Sequence, residues 1–255
     1  SKTAIFVDEI GMVDTKKQAA LLEKVSAAGI KLILSGDGQH RQIQPVQAGS
    51  LNSKILEKVP GANLTEIFRQ QDPHDRKMVH DLVTGKQEAA IRSLITRGRY
   101  HEGEDENKTA KKLMDLWSER FATVPEQTAI IATTRELCSH FNQEAQRIRS
   151  ELNLLGPETI KVKEGSIRVG DRVIFNETSK LLDVTSGTLG TVSTITGSRI
   201  KIRTDDGQDV RFSVRDYDAL SLGYALTTHK SQGMTMDNGL VMAGPNWINK
   251  ELTYV

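Results

Sequence analysis

The chain has 255 residues, 37% of them hydrophobic and 26% charged, a balance that excludes disorder throughout and leaves room for two or three domains. Its net charge of +1 excludes wholesale phosphate neutralisation of the histone kind but permits a local basic groove. A single cysteine, Cys138, excludes an intrachain disulfide scaffold, and no apolar run reaches the roughly 20 residues of a bilayer span, so a cytoplasmic protein with no membrane span is expected.

Taken in chain order, Thr3-Ala4-Ile5-Phe6-Val7 is an apolar run that predicts a buried strand, and it ends in the acids Asp8-Glu9. Residues 17–28 place Ala20, Leu21, Leu22, Val25 and Ala28 at helical spacing before Gly29, and Lys31-Leu32-Ile33-Leu34 is a second strand running into Ser35-Gly36-Asp37-Gly38-Gln39. Strand, helix, strand is the start of a doubly wound parallel sheet. Two short helices carry Met78, Leu82, Ala89, Ile91, Leu94 and Ile95, and a third carries Leu113, Leu116, Trp117 and Phe121. A buried strand at residues 128–133 feeds a helix from Arg135 to Glu151, opening a second α/β unit. From Gly156 to Asp218 the pattern changes to short strands punctuated by glycines, with a hairpin signal in Arg199-Ile200-Lys201-Ile202-Arg203-Thr204 and the turn Asp205-Asp206-Gly207. This stretch reads as a small β-barrel inserted into the second unit, whose strand pattern resumes at residues 224–227 and 239–243.

Four constellations could carry chemistry. An acidic pair at the carboxyl end of a parallel strand sits where such sheets bind ligands. There Asp8 could hold the waters around Mg²⁺ while Glu9 orients and deprotonates an attacking water; a solvated strand end is the plainer reading. Gln39, at the second strand end, could meet a terminal phosphate, although Gly and Asp suit a simple turn. Arg69, in Phe68-Arg69-Gln70, could stabilise transition-state charge, or make a surface ion pair. The string Gly223-Tyr224-Ala225-Leu226-Thr227-Thr228-His229-Lys230-Ser231-Gln232-Gly233-Met234-Thr235 gathers hydroxyls, an imidazole, an ammonium and an amide at a predicted helix start. That suits contacts to a phosphate backbone, with a cap-rich helix start as the alternative.

Asp8-Glu9, Gly36-Asp37-Gly38-Gln39, Phe68-Arg69-Gln70 and Tyr224 through Thr235 resemble, in order and spacing, successive motifs of a superfamily 1 DNA helicase of the RecD-like type. Gly170-Asp171-Arg172-Val173-Ile174-Phe175 with Ser186-Gly187-Thr188-Leu189-Gly190-Thr191-Val192 resembles the SH3-like insert of that group. Residues 64–97 and the short insert are most similar to the helicase part of conjugative relaxase proteins of the TraA, TraI and MobA type. The resemblance implies an α/β fold of two RecA-like parallel-sheet units, the first incomplete, with a small SH3-like β-barrel inserted in the second. Its implied boundaries are residues 1–100 for the downstream part of the first motor domain, 101–155 and 219–255 for the second, and 156–218 for the barrel.

The implied activity is ATP-dependent movement along single-stranded DNA, 5′ to 3′, with ATP and Mg²⁺ as cofactors. In that picture Glu9, Gln39 and Arg69 are catalytic, and Asp8, Asp37, Gln39 and Arg69 bind nucleotide, with Asp8 reaching Mg²⁺ through water. Thr228, His229, Lys230, Ser231 and Gln232 face DNA. The group also needs a phosphate loop and a last arginine motif, and no G-x-x-x-x-G-K-[S/T] string occurs here; Lys2-Thr3 lacks the preceding glycines. The chain is therefore expected to be a piece of a longer motor whose partners are its own missing upstream and downstream parts. Alone it should hydrolyse ATP poorly. The competing reading is a non-catalytic module for single-stranded DNA or a protein partner, with a basic groove of Arg199, Lys201, Arg203 and Lys230. Scattered histidines disfavour a metal site, no Gly-x-Ser-x-Gly string supports a nucleophilic hydrolase, and nothing indicates an oligomeric state.

Overall fold

A computed structural model describes residues 3–36, 55, 58, 59, 61, 62 and 70–243. They fall into two compact units, one running to His101 and one from Glu102 onward. Asp37, Gly38, Gln39, Phe68 and Arg69 lie outside the described residues.

In the first unit, β1 (Ala4–Val7) and β2 (Lys31–Leu34) pair in parallel, Ala4 opposite Lys31 and Val7 opposite Leu34. Helix α1 (Thr15–Ala27) makes the crossover between them, as a parallel pair requires. Asp14 starts the helix by accepting from the Lys17 main-chain N–H at 3.0 Å, and that bond holds its carboxyl below the usual range. Gly29, at φ 61°, ends it in the left-handed conformation that glycine enters without strain. The helix turns Gln18, Leu21 and Leu22 toward Leu32 and Leu34 of β2. The run expected to be a buried strand is only half covered. Phe6, 62% exposed, stands opposite Ile33, 42% exposed, because a doubly wound sheet needs a layer on both faces and among the described residues α1 covers one. Helices α2 (Pro73–Val83) and α3 (Gln87–Thr96) form a hairpin. The guanidinium of Arg97 closes it by meeting Asp72 at 2.9 Å and Asp75.

The second unit contains a parallel sheet in the order β11-β3-β12, made of β3 (Thr128–Ala132), β11 (Ala225–Thr227) and β12 (Asn238–Val241). Helices α4 (Glu106–Phe121) and α5 (Arg135–Glu151) pack on it. Their inward positions, Ala110, Met114 and Trp117 on α4 and Phe141 and Ala145 on α5, recur at helical spacing and join Ile130, Ala132 and Tyr224 in one core. Thr134 caps α5 by accepting from Leu137 N–H at 3.1 Å.

Between α5 and β11 the chain forms a hairpin, β4 (Thr159–Val162) with β5 (Gly165–Arg168), and a five-stranded antiparallel sheet. Its order is β10-β6-β7-β8-β9, from β6 (Arg172–Phe175), β7 (Leu189–Thr196), β8 (Arg199–Thr204), β9 (Asp209–Ser213) and β10 (Leu220–Leu222). The alternation expected at residues 199–204 is realised: Ile200, Ile202 and Thr204 are buried while Arg199 and Arg203 are exposed. The predicted turn closes the β8–β9 hairpin with Gly207 at φ 92°. Val173, Phe175, Val192, Ile202 and Leu220 centre a core separate from that of the parallel sheet.

Gly190 leaves no room for a side chain. A Cβ there would lie 2.7 Å from the Arg203 carbonyl oxygen and 2.7 Å from Ile202 Cγ2. Gly190→Ala should therefore lower the urea-unfolding free energy by about 1–3 kcal/mol, the usual cost of overpacking. Unchanged stability would show that β7 and β8 can separate without loss.

Candidate functional site

The acidic pair lies at the carboxyl end of β1, next to the end of β2. Ser35 N–H donates to the Val7 carbonyl at 2.8 Å, and Ile10 N–H donates to the Ser35 carbonyl at 3.0 Å, so the two strand ends are stitched together beyond the ladder. Asp8 is exposed, and its Oδ1 accepts from Glu9 N–H at 2.9 Å. Glu9 is half-buried and holds φ 51°, ψ 38°, the left-handed region. A non-glycine residue enters that region at a cost that concentrates at functional sites. The result is a sharp turn that puts both carboxyls at the strand end.

Gln18 anchors the main chain on the far side of that turn, a role that residue patterns do not reveal. It is 1% exposed, and its Nε2 donates to the carbonyls of Ile10 at 3.0 Å and Val13 at 2.7 Å. The only trace in the sequence is a polar residue on the inward stripe of α1. Asp8 offers an exposed hard oxygen suited to a water-mediated divalent cation. Among the described residues no group of three or more His, Cys, Asp or Glu side chains could hold a metal directly.

The second constellation is built on β11. Asn142 of α5, buried, uses its amide like a length of strand: Oδ1 accepts from Tyr224 N–H and Ala225 N–H, both at 2.9 Å, and Nδ2 donates to the Ala225 carbonyl at 2.9 Å. Tyr224 Oη donates to Asp171 Oδ1 at 2.7 Å. The other oxygen of Asp171 accepts from Gln146 Nε2 at 2.6 Å and Arg168 N–H at 2.7 Å. Burial raises the Asp171 carboxyl, opposed by these hydrogen bonds, and burial also raises the Tyr224 phenol. Trp117 meets the Tyr224 ring edge to face at 5.7 Å, and the Arg149 guanidinium lies 5.8 Å from the ring centre. Cys138 donates to the Ala225 carbonyl at 3.2 Å, and burial pushes its thiol up to about 11, which keeps it protonated at neutral pH.

Beyond Thr227 the expected helix is a single turn, α6 (Thr228–Ser231). Gln232 leaves it in extended conformation, and Gly233 comes next at φ 80°. Thr228 is buried, its hydroxyl donating to the Ala132 carbonyl at 3.4 Å, and Ser231 Oγ donates to the Thr228 carbonyl at 3.0 Å. His229 and Lys230 are exposed. Lys230 Nζ donates to Asn176 Oδ1 at 2.7 Å. Both amide atoms of Gln232 are enclosed and find no hydrogen-bond partner among the described residues, so the amide expected to face DNA is covered in this structure. The proposed basic groove is partly neutralised, since Asp209 pairs with Lys201 at 2.9 Å and with Arg203 at 3.1 Å.

A parallel sheet with β3 central, polar residues at strand ends and an antiparallel insertion make a mixed α/β fold of the RecA-like kind. The Pif1 helicase from Bacteroides, solved in complex with ADP-AlF3 and ssDNA, shares it with a TM-score of 0.66 at 18% identity, over 98% of this chain and 66% of that one. Residues 1–105 match the family model described as an AAA domain. The chain is a homologue of conjugal transfer proteins and of ATP-dependent DNA helicases. It is 31% identical to the conjugal transfer protein TraA of Agrobacterium fabrum over its whole length, and 25% identical over 90% of its length to the ATP-dependent RecD2 DNA helicase of Deinococcus radiodurans. It spans 23% of the length of that TraA protein and 31% of that RecD2 helicase. No helix among the described residues is long and apolar enough to cross a membrane.

Removing the Tyr224 hydroxyl should expose the dependence of this site on Asp171. Tyr224→Phe is expected to cost about 1–3 kcal/mol at neutral pH, the cost of stripping a donor from a buried acceptor. The loss is pH-dependent with a definite sign. A carboxyl whose folded-state pKa is raised binds its proton more tightly in the folded state, so stability falls as pH rises from the unfolded toward the folded value. Without the phenol the folded value rises further. The destabilisation should therefore shrink toward acid and grow toward neutrality in paired denaturant titrations; a pH-independent loss would contradict an ionised Asp171.

Proposed function

We propose that the chain is part of an ATP-dependent DNA helicase that couples hydrolysis to 5′ to 3′ movement on single-stranded DNA, in a cytoplasmic parent protein serving conjugative DNA transfer. The observation that carries the reading is the Asp8-Glu9 pair, set by a left-handed turn at the carboxyl end of a parallel strand and stitched to the end of the next. Homology to an ATP-dependent helicase and to a conjugal transfer protein supports it, as does the fold shared with a helicase solved with a nucleotide analogue and ssDNA.

In this reading residues 1–100 are the downstream part of the first motor domain, 101–155 and 219–255 form most of the second, and 156–218 are an SH3-like insert. Asp8 holds Mg²⁺ through water beside the ATP phosphates. Glu9 orients the attacking water and takes its proton, and the exposed strand end leaves room for both. Asp37, Gln39 and Arg69 complete the nucleotide site. His229 and Lys230 face the DNA phosphates from α6, and Ser231 and the buried Thr228 hold the turn in shape. The phosphate cradle itself comes from elsewhere in the parent, since no G-x-x-x-x-G-K-[S/T] string occurs in the 255 residues.

The purified 255-residue chain should turn over ATP at background rate while binding a labelled oligothymidylate with an affinity that falls as salt rises. A parent protein carrying the phosphate loop should hydrolyse ATP, and Glu9→Gln should lower its kcat by about 10²–10⁴-fold, the range for a general base. Helicase-like turnover by the 255-residue chain that survives Glu9→Gln would defeat the assignment of Glu9. The same chain without turnover and without DNA binding even at low salt would defeat the DNA-contact assignment.

A further inference from the structure

We propose that Asn176 is a positioning residue for Lys230, orienting its ammonium group for a nucleic-acid phosphate without setting an opposing charge against it. The proposal rests on the reading of Lys230 as a DNA contact and adds the residue that sets it.

The carboxamide is fixed in direction. Lys230 Nζ lies 2.7 Å from Asn176 Oδ1, and because an ammonium only donates, the oxygen must be the atom that faces it. The other half of the amide, Nδ2, donates to Ser221 Oγ at 3.1 Å on β10. The main chain is pinned as well: Asn176 N–H donates to the Ala219 carbonyl at 2.8 Å, and the Asn176 carbonyl accepts from Ser186 Oγ at 2.9 Å. Asn176 comes directly after β6, whose four residues are all buried, so its base does not shift independently of the core. At the other end of the same strand Asp171 holds the Tyr224 hydroxyl. The two residues flanking β6 thus grip the two ends of one segment, Tyr224 at its start and Lys230 in α6.

The chemistry of the acceptor matters. A flexible four-carbon stem is costly to order at the moment of binding, and one neutral hydrogen bond orders it beforehand. An amide oxygen occupies one of three ammonium donors and leaves two for a phosphate, with the whole positive charge retained. A carboxylate in the same place would hold the stem equally well and cancel the charge. Lys230 makes no ion pair among the described residues, whereas Lys201 and Arg203 of the same unit both pair with Asp209. A nearly isosteric change at position 176 therefore separates orientation from charge.

The test is fluorescence anisotropy of a fluorescein-labelled oligothymidylate with the 255-residue chain across a sodium chloride series, with thermal unfolding run on every variant. Asn176→Asp keeps an acceptor for Lys230 and a partner for the Ser221 hydroxyl, and should unfold like the wild type. It should nevertheless lose about tenfold in affinity at low salt, the worth of one charge-assisted hydrogen bond. The slope of log affinity against log salt should flatten by about 0.7, the value for one phosphate contact on a single strand. Lys230→Met should show the same two changes, and the double variant Asn176→Asp/Lys230→Met no further loss. Wild-type affinity and slope in Asn176→Asp, alongside losses in Lys230→Met, would overturn the proposal and leave the reading of Lys230 intact. No effect of Lys230→Met would overturn that reading and the proposal with it.

Discussion

The hydrogen bond from the Tyr224 phenol to the buried carboxyl of Asp171 ties together three parts of the second unit. Tyr224 leads into the parallel strand that ends at α6, Asp171 leads into the antiparallel sheet, and Gln146, which shares the carboxyl, belongs to helix α5. A carboxyl at 0% exposure is tolerated only when its lone pairs are filled. Here three donors fill them, and each comes from a different element. The electrostatic requirement of one side chain thereby helps to set where the antiparallel sheet sits against the segment that carries His229 and Lys230, together with the bond from Gly223 N–H to the Arg172 carbonyl at 2.9 Å. Asn142, spanning the main chain of Tyr224 and Ala225, applies the same constraint from the helix side.

The first unit has a different economy of contacts. Its strand ends are shaped by main-chain hydrogen bonds and by one buried amide, Gln18, and the acids themselves remain open to solvent or half so. That division suits their proposed work. Groups that meet a nucleotide and a hydrated cation must be accessible, while the turn presenting them must not move. Glu9 takes the left-handed conformation at this strand end, and the chain just beyond it is fixed by the Gln18 contacts to Ile10 and Val13 and by the bond from Ile10 N–H to the Ser35 carbonyl.

Much of this was legible from residue patterns. The parallel character of both sheets could be read from apolar runs alternating with helical spacing, and helix Arg135–Glu151 and the β8–β9 hairpin fall where the patterns put them. Four motifs in a recognisable order point to the helicase group, and homology bears that out. The residues that position the site were not legible. Gln18, Asn142, Asp171 and Asn176 act through partners up to 83 positions away in sequence, or through main-chain atoms that side-chain patterns do not report. The length of α6 was also invisible. Thr227 and Thr228 signal a helix start, but the positive φ of Gly233 and the extended Gln232 end it after one turn. Likewise, the alternation of Arg199, Lys201 and Arg203 suggested a basic groove, and only the fold brings Asp209 against two of them.

In the proposed function a single-stranded nucleic acid lies against the segment after β11. Photocrosslinking of the 255-residue chain to an oligonucleotide carrying 4-thiothymidine, with the attached peptides identified by mass spectrometry, addresses it directly. The account predicts cross-links within residues 227–234 and in the loop after β6 that contains Asn176. Cross-links confined to the outer face of β8 and β9, or none above a scrambled-label control, would contradict it.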